Sequence, residues 1–222
     1  MISLLSLKIA LMAKPKKQVW IGEVSPSDIR KMIDRTFSFL VSDYSFRKPT
    51  DISINTLMIG YSYSGHNLAI EPVVDRKDGF VETGIVRLNR GIRPKGWEID
   101  DKGEQFKTRL FVAAWDRKLM RTAPVHLPES PEDMLQSLLD AEVATLRDGF
   151  PDFLADDAGY FVELNQRRKA ATAIKAGKDF FAKAEKLFQA KDFSALLAHM
   201  GTNCPPLSKL WEARLTYARK NA

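Results

Sequence analysis

Residues 57–88 read LMIGYSYSGHNLAIEPVVDRKDGFVETGIVRL, and the fold is decided by this stretch. Leu57, Ile59, Tyr61 and Tyr63 recur every second residue, the period of a strand with one buried face. Ser64-Gly65-His66-Asn67 follows as turn chemistry, and Leu68 to Val74 reads as a second strand. Asp75 to Gly79 is another turn, and Phe80 to Leu88 reads as a third strand. Turns this tight join antiparallel neighbours; parallel ones need a crossover of about a dozen residues or more. The stretch therefore predicts a meander and not a βαβ unit.

Upstream, Ile52 and Ile54 carry the same alternation, with a change of face near Asn55 that predicts a bulge or a short break. Before them lies a helix. Ser25 can cap its first turn, Pro26 suits its first position, and Asp28 complements its dipole. Ile29, Met32, Ile33, Thr36, Phe37, Leu40 and Tyr44 form its apolar stripe, and Pro49 bars any continuation.

Downstream, residues 89–105 are rich in Gly, Pro and charge and read as a long loop. Residues 106–120 fit two states: Leu110-Phe111-Val112 suits a strand, while Ala113, Ala114 and Trp115 suit a helix. Ser130-Pro131-Glu132-Asp133 starts a second helix, with Leu135, Leu138, Leu139, Val143 and Leu146 on its buried side and Gly149 and Pro151 at its end. From Tyr160 the pattern is helical throughout. One helix is expected from Tyr160 to Lys175, closed by Gly177, and a second carries Phe180, Phe181, Ala184, Leu187 and Phe188. A third starts at Asp192, and a last one carries Leu207, Leu210, Trp211, Leu215 and Ala218 after Pro205 and Pro206.

The predicted class is α+β: a three- to four-stranded antiparallel meander packed against helices, followed by a C-terminal helical subdomain. Residues 20–150 are expected to form the α+β domain and residues 151–222 the basic helical subdomain. Residues 1–19 are expected to be a flexible or mis-assigned stub. Met12 opens MAKPKK, which reads as a natural start, so residues 1–11 are expected to come from an upstream start and to be absent in the cell, with a weak membrane anchor as the competing reading. Their apolar run is shorter than the ~20 residues a span needs, and its lysines follow the run instead of preceding it as in a signal peptide.

The 222 residues carry a net charge of +6, unevenly spread. Met1 to Gly159 holds 22 Lys+Arg against 23 Asp+Glu, a net of −1, and Tyr160 to Ala222 holds 12 against 5, a net of +7. The basic tail suits an acidic partner protein, a nucleic acid or an anionic surface; a solvated helical face also favours Lys and Arg. Cys204 is the one cysteine, which excludes an internal disulfide and a thiolate metal cluster and fits the reducing cytoplasm.

Reactive motifs are scarce. Gly60-Tyr61-Ser62-Tyr63-Ser64-Gly65 is one residue too long for a nucleophile elbow and leads into a strand, where the elbow needs a helix. His66, His126 and His199 are widely separated, and no Gly-rich phosphate loop exists. Asp100-Asp101 and Asp156-Asp157 read as solvated turns. Glu71, Asp75, Asp78 and Glu82 flank the second hairpin, as carboxylates that hold magnesium do, but no lysine accompanies them on the same strand. No cofactor and no metal ligands are assigned, and catalysis is not expected. Arg167, Arg168, Lys169, Lys175 and Lys178 are the candidate binding residues, for an acidic partner or for phosphates.

Two resemblances add to this. Ala184, Leu187, Phe188, Asp192 and Phe193 are spaced as at the joint of paired helices in tetratricopeptide-like repeats, here without a second copy. The segment RTFSFLVSDYSF at residues 35–46, followed by Leu68-Ala69-Ile70-Glu71, resembles small bacterial proteins of the toxin-neighbouring, immunity-like type, over residues 25–90. That resemblance implies a protein that binds another protein without catalysis. The expected function is accordingly a cytoplasmic bacterial interaction protein, with a nucleic-acid-associated accessory protein as the alternative and a metal-dependent or hydrolytic enzyme third.

Overall fold

The structure is a computed structural model that describes residues 20–119, 128–201 and 204–222. The expectations for residues 1–19 and for His126 lie outside the described residues. The chain divides into two compact units, Met1–Phe161 and Val162–Ala222.

The first unit is an antiparallel sheet with helices on one face, the predicted α+β class. Five strands run in chain order, β1 (Thr50–Asp51), β2 (Met58–Ser64), β3 (Leu68–Asp75), β4 (Phe80–Arg87) and β5 (Lys107–Arg109). The three central strands are those read from residues 57–88. The break expected near Asn55 is a hairpin turn. The Asn55 carboxamide oxygen accepts from the amides of Leu57 and Met58, and the arm before it pairs back on β2, Thr50 opposite Ser62.

Helix α1 (Pro26–Phe37) starts as expected, with the Ser25 hydroxyl accepting from the Asp28 amide. It does not run on to Tyr44. Ser38 separates it from the one-turn helix α2 (Phe39–Ser42), and Ser45 sits at φ 60°, a conformation in which no right-handed helix continues. Of the two states open for residues 106–120, the strand lies earlier than expected. Lys107–Arg109 form β5, which passes directly into α3 (Leu110–Asp116), so Leu110-Phe111-Val112 are helical because the helix takes them together with Ala113 and Ala114. Helix α4 (Pro131–Gly149) is capped by Ser130, and α5 (Pro151–Leu154) follows its predicted end.

Strand alternation sends Ile59, Tyr63, Ile70, Val74, Val81 and Ile85 to one side. There they meet Ile29, Ile33 and Phe37 of α1 and Leu135, Leu139 and Leu146 of α4. All are buried, each contributing on the order of 1.5–3 kcal/mol of transfer free energy. Arg117 clamps the far end of this core. Its guanidinium forks onto Asp152 at 2.8 and 2.5 Å and lies over the rings of Phe150 and Phe153.

The second unit holds most of α6 (Gly159–Gln189), with α7 (Phe193–Met200) and α8 (Lys209–Asn221). The helix does not stop at Gly177. It passes through, because the i→i−4 ladder needs nothing of that side chain, and glycine weakens a helix by only about 1 kcal/mol. Asp192 caps α7 as expected. Ala184, Leu196, Met200, Trp211, Leu215 and Ala218 form the core of this unit. Leu207 and Leu210, read as part of the buried face of α8, are exposed instead.

Candidate functional site

Within the first unit, the described helices α1 and α4 pack on one face of the sheet. The opposite face is roofed at one end, where Phe106 closes over Ala69, Val86 and Leu88. The chain from Asn89 to Gln105, read as a plain loop, is held there by two bridges, Asn89 to Ile92 and Ile99 to Gln105. Beyond this roof the face is open, and its floor is a groove of about 260 Å³.

The groove is built by strand register. Glu71 lies opposite Gly84, and Val73 lies opposite Glu82. Both glutamates thus stand on the open face, one diagonal step apart. Gly84 and Gly60 leave the floor low beside them. A Cβ on Gly60 would meet the Pro72 carbonyl oxygen at 2.8 Å, so only glycine fits there. Ile52, Ile54 and Met58 form one wall, and Trp97 with Arg93 forms the other.

At the centre is the Glu71 carboxylate, 2% exposed. A buried carboxylate is tolerable only with several partners, and it has three. Ser62 donates from its hydroxyl at 3.3 Å, Arg93 donates from its guanidinium, and the Lys107 ammonium stands 3.7 Å away. Lys107 also lies over the Trp97 ring, 5.3 Å from its centroid. Glu82 is engaged separately by Arg109 at 3.4 Å. The lysine that sequence reading sought on the hairpin itself therefore arrives from β5. Only pairing of β4 with β5 could reveal it.

Of the four hairpin acids, Glu71 and Glu82 share the open face. Asp75 instead ties its own turn, accepting from the amides of Lys77 and Asp78. Asp156, read as part of a solvated turn, is a structural clamp. Its carboxylate accepts from the successive amides of His66, Asn67 and Leu68. Among the described residues, no three His, Cys, Asp or Glu side chains converge as metal ligands. His66 is exposed, and His199 is half-buried, stacked on Phe180 with centroids 4.2 Å apart.

The predicted binding residues Arg167, Arg168, Lys169, Lys175 and Lys178 all lie on α6. The helix is continuous through Gly177, so they share one axis. At ~100° per residue, Arg167, Arg168, Lys175 and Lys178 fall within an arc of about 100°, and Lys169 falls outside it. All five are exposed or half-exposed. None of them lines the sheet groove, whose cations are Arg93 and Lys107; these, and Arg109 paired with the groove's Glu82, sequence reasoning missed.

Among the described residues, no helix is long and apolar enough to cross a membrane. Compared with family models, with curated proteins and with solved structures, the chain matches none.

Proposed function

We propose that the chain is a non-catalytic cytoplasmic interaction protein that binds a partner protein through the open face of its sheet. The observation that carries this reading is a set of apolar side chains left in solvent around that groove. Ile54 is 64% exposed and Trp97 is 71% exposed, beside a buried, triply engaged carboxylate. Large apolar groups gathered on one face, with a polar anchor among them, are the usual make-up of a docking patch. The resemblance of residues 25–90 to immunity-like proteins supports the same reading, with occlusion of a partner surface as its mechanism.

The test is affinity capture of the tagged full chain from bacterial cytosol, with Trp97→Lys and Ile54→Lys as controls. A stoichiometric protein, retained by the native chain and lost by both variants, supports the reading. Equal retention by the variants overturns it.

A second reading has its own observation, the basic stripe on the single helix α6. It would serve a nucleic acid through sequence-independent phosphate contacts. Binding to duplex or single strands that falls steeply with salt and is lost in Arg167→Glu/Arg168→Glu would favour it.

A further inference from the structure

We infer that the groove selects a partner by a carboxylate, an Asp or Glu side chain flanked by apolar residues, seated between Arg93 and Lys107. The inference deepens the proposed function and rests on it. Its basis is an imbalance of charge. Glu82 is matched by Arg109, whereas Glu71 alone faces both Arg93 and Lys107. Among the described residues, one positive charge of these pairs is therefore left over at the groove. The apolar side chains of Ile52, Ile54, Met58 and Trp97 line the groove around it, so a guest seated there would itself displace water and strengthen the attraction. Lys107 is pinned between the Glu71 carboxylate and the Trp97 ring, with its side chain 19% exposed. Little of its freedom remains to be lost on binding. Arg93, at 42% exposed, keeps part of its fork for a second acceptor. The size fits as well. About 260 Å³ is below the ~300–1,000 Å³ of small-molecule pockets, and matches side chains delivered by a protein surface.

The experiment uses the ¹⁵N-labelled full chain and two blocked tripeptides, Leu-Asp-Leu and Leu-Asn-Leu, followed by amide and indole shifts. The aspartate peptide is expected to shift Ile54, Trp97 and Lys107, and to bind about tenfold tighter than the asparagine peptide, the worth of one charge-assisted hydrogen bond. That preference should shrink as salt rises from about 50 to about 500 mM. Two variants move it in opposite directions. Arg93→Gln cancels the spare charge and removes the preference, while Glu71→Gln doubles the spare charge and enlarges it. A merely structural role for the cluster would weaken binding in both. Dispersion of the amide spectrum reports whether each variant folds; should Glu71→Gln not fold, Arg93→Gln alone decides. Equal binding of the two peptides on this face overturns the carboxylate selection and leaves the docking face standing. If neither peptide shifts these residues, while a captured partner also ignores Trp97→Lys, the docking face falls too.

Discussion

Asp156 holds Leu68 by its backbone: one carboxylate oxygen accepts from the Leu68 amide at 2.7 Å, across 88 residues of chain. The other takes the His66 amide at 2.7 Å, and Asn67 is shared between them. Asp156 itself sits at φ 58°, a conformation aspartate tolerates better than most residues. Gly65 makes room, since a Cβ there would lie 2.4 Å from the Asp156 carboxylate. Asp156→Ala is expected to destabilise the first unit by about 2 kcal/mol, less than three full charge-assisted bonds because His66 and Asn67 can turn to water. Asp156→Asn should lose about half as much. Urea titration of the full chain measures both.

Tyr63 is fully buried against Phe37, with ring centroids 6.1 Å apart, and its hydroxyl has no hydrogen-bond partner among the described residues. Burial pushes that phenol well above the ordinary tyrosine range. Tyr63→Phe removes an unsatisfied polar atom and keeps the ring, so stability should hold or rise by up to about 1 kcal/mol. Tyr63→Ala, leaving a cavity, should cost about 3–5 kcal/mol. Paired thermal melts separate the two.

Burial by itself would raise the Asp152 pKa, but the Arg117 guanidinium, helped by the backbone amides of Asp152 and Phe153, outweighs it and holds the carboxyl below its ordinary value. The sign of the pH effect follows. A depressed folded value gives stability that is complete above the unfolded value of about 3.9 and is lost as pH falls through the folded one. The native chain should therefore lose stability below about pH 4 more steeply than Asp152→Asn does. Arg117→Met should remove the same increment. Denaturant midpoints across that window provide the check.

Gly177 lies inside α6, and a Cβ there would meet nothing within 4 Å. Gly177→Ala should stabilise the helix by about 0.5–1 kcal/mol, chiefly by narrowing the unfolded ensemble. If the chain instead used this glycine as a break, alanine would bring no gain. Helical circular dichroism during melting distinguishes the cases.

Trp97 is 71% exposed. Trp97→Ala should change stability by less than about 0.5 kcal/mol while abolishing capture of a partner. A large loss of stability would instead make it a packing residue.

The central sheet and the caps of α1 and α4 were legible because their signals are local. Period-two alternation, a capping serine and Pro at the helix start each need only a few neighbouring residues. The open groove was not, since Glu71 and Lys107 meet only through two strand registers, β3 with β4 and β4 with β5. Pairing partners are chosen by tertiary contact, and no spacing along the chain announces them. The misplaced break at Gly177 has the opposite cause. Glycine is a strong local punctuator, but continuing a long helix outweighs a penalty of about 1 kcal/mol. Asp156 was read as solvent-facing because its three partners lie some ninety residues away.

The edges of the sheet constrain how any visitor can be read. β1 contributes two residues and β5 three, and the amide of Ser53, just past β1, is already taken by the Asp51 carboxylate at 2.7 Å. β5 turns at once into a helix. β5 covers β4 only opposite Gly84–Val86, so an incoming strand would find short, interrupted lengths of edge backbone to zip onto. On the proposed reading, discrimination then falls mainly to side chains meeting the broad surface. Changing a visitor's residues should matter far more than N-methylating its backbone, and the same bluntness guards these molecules against stacking on one another.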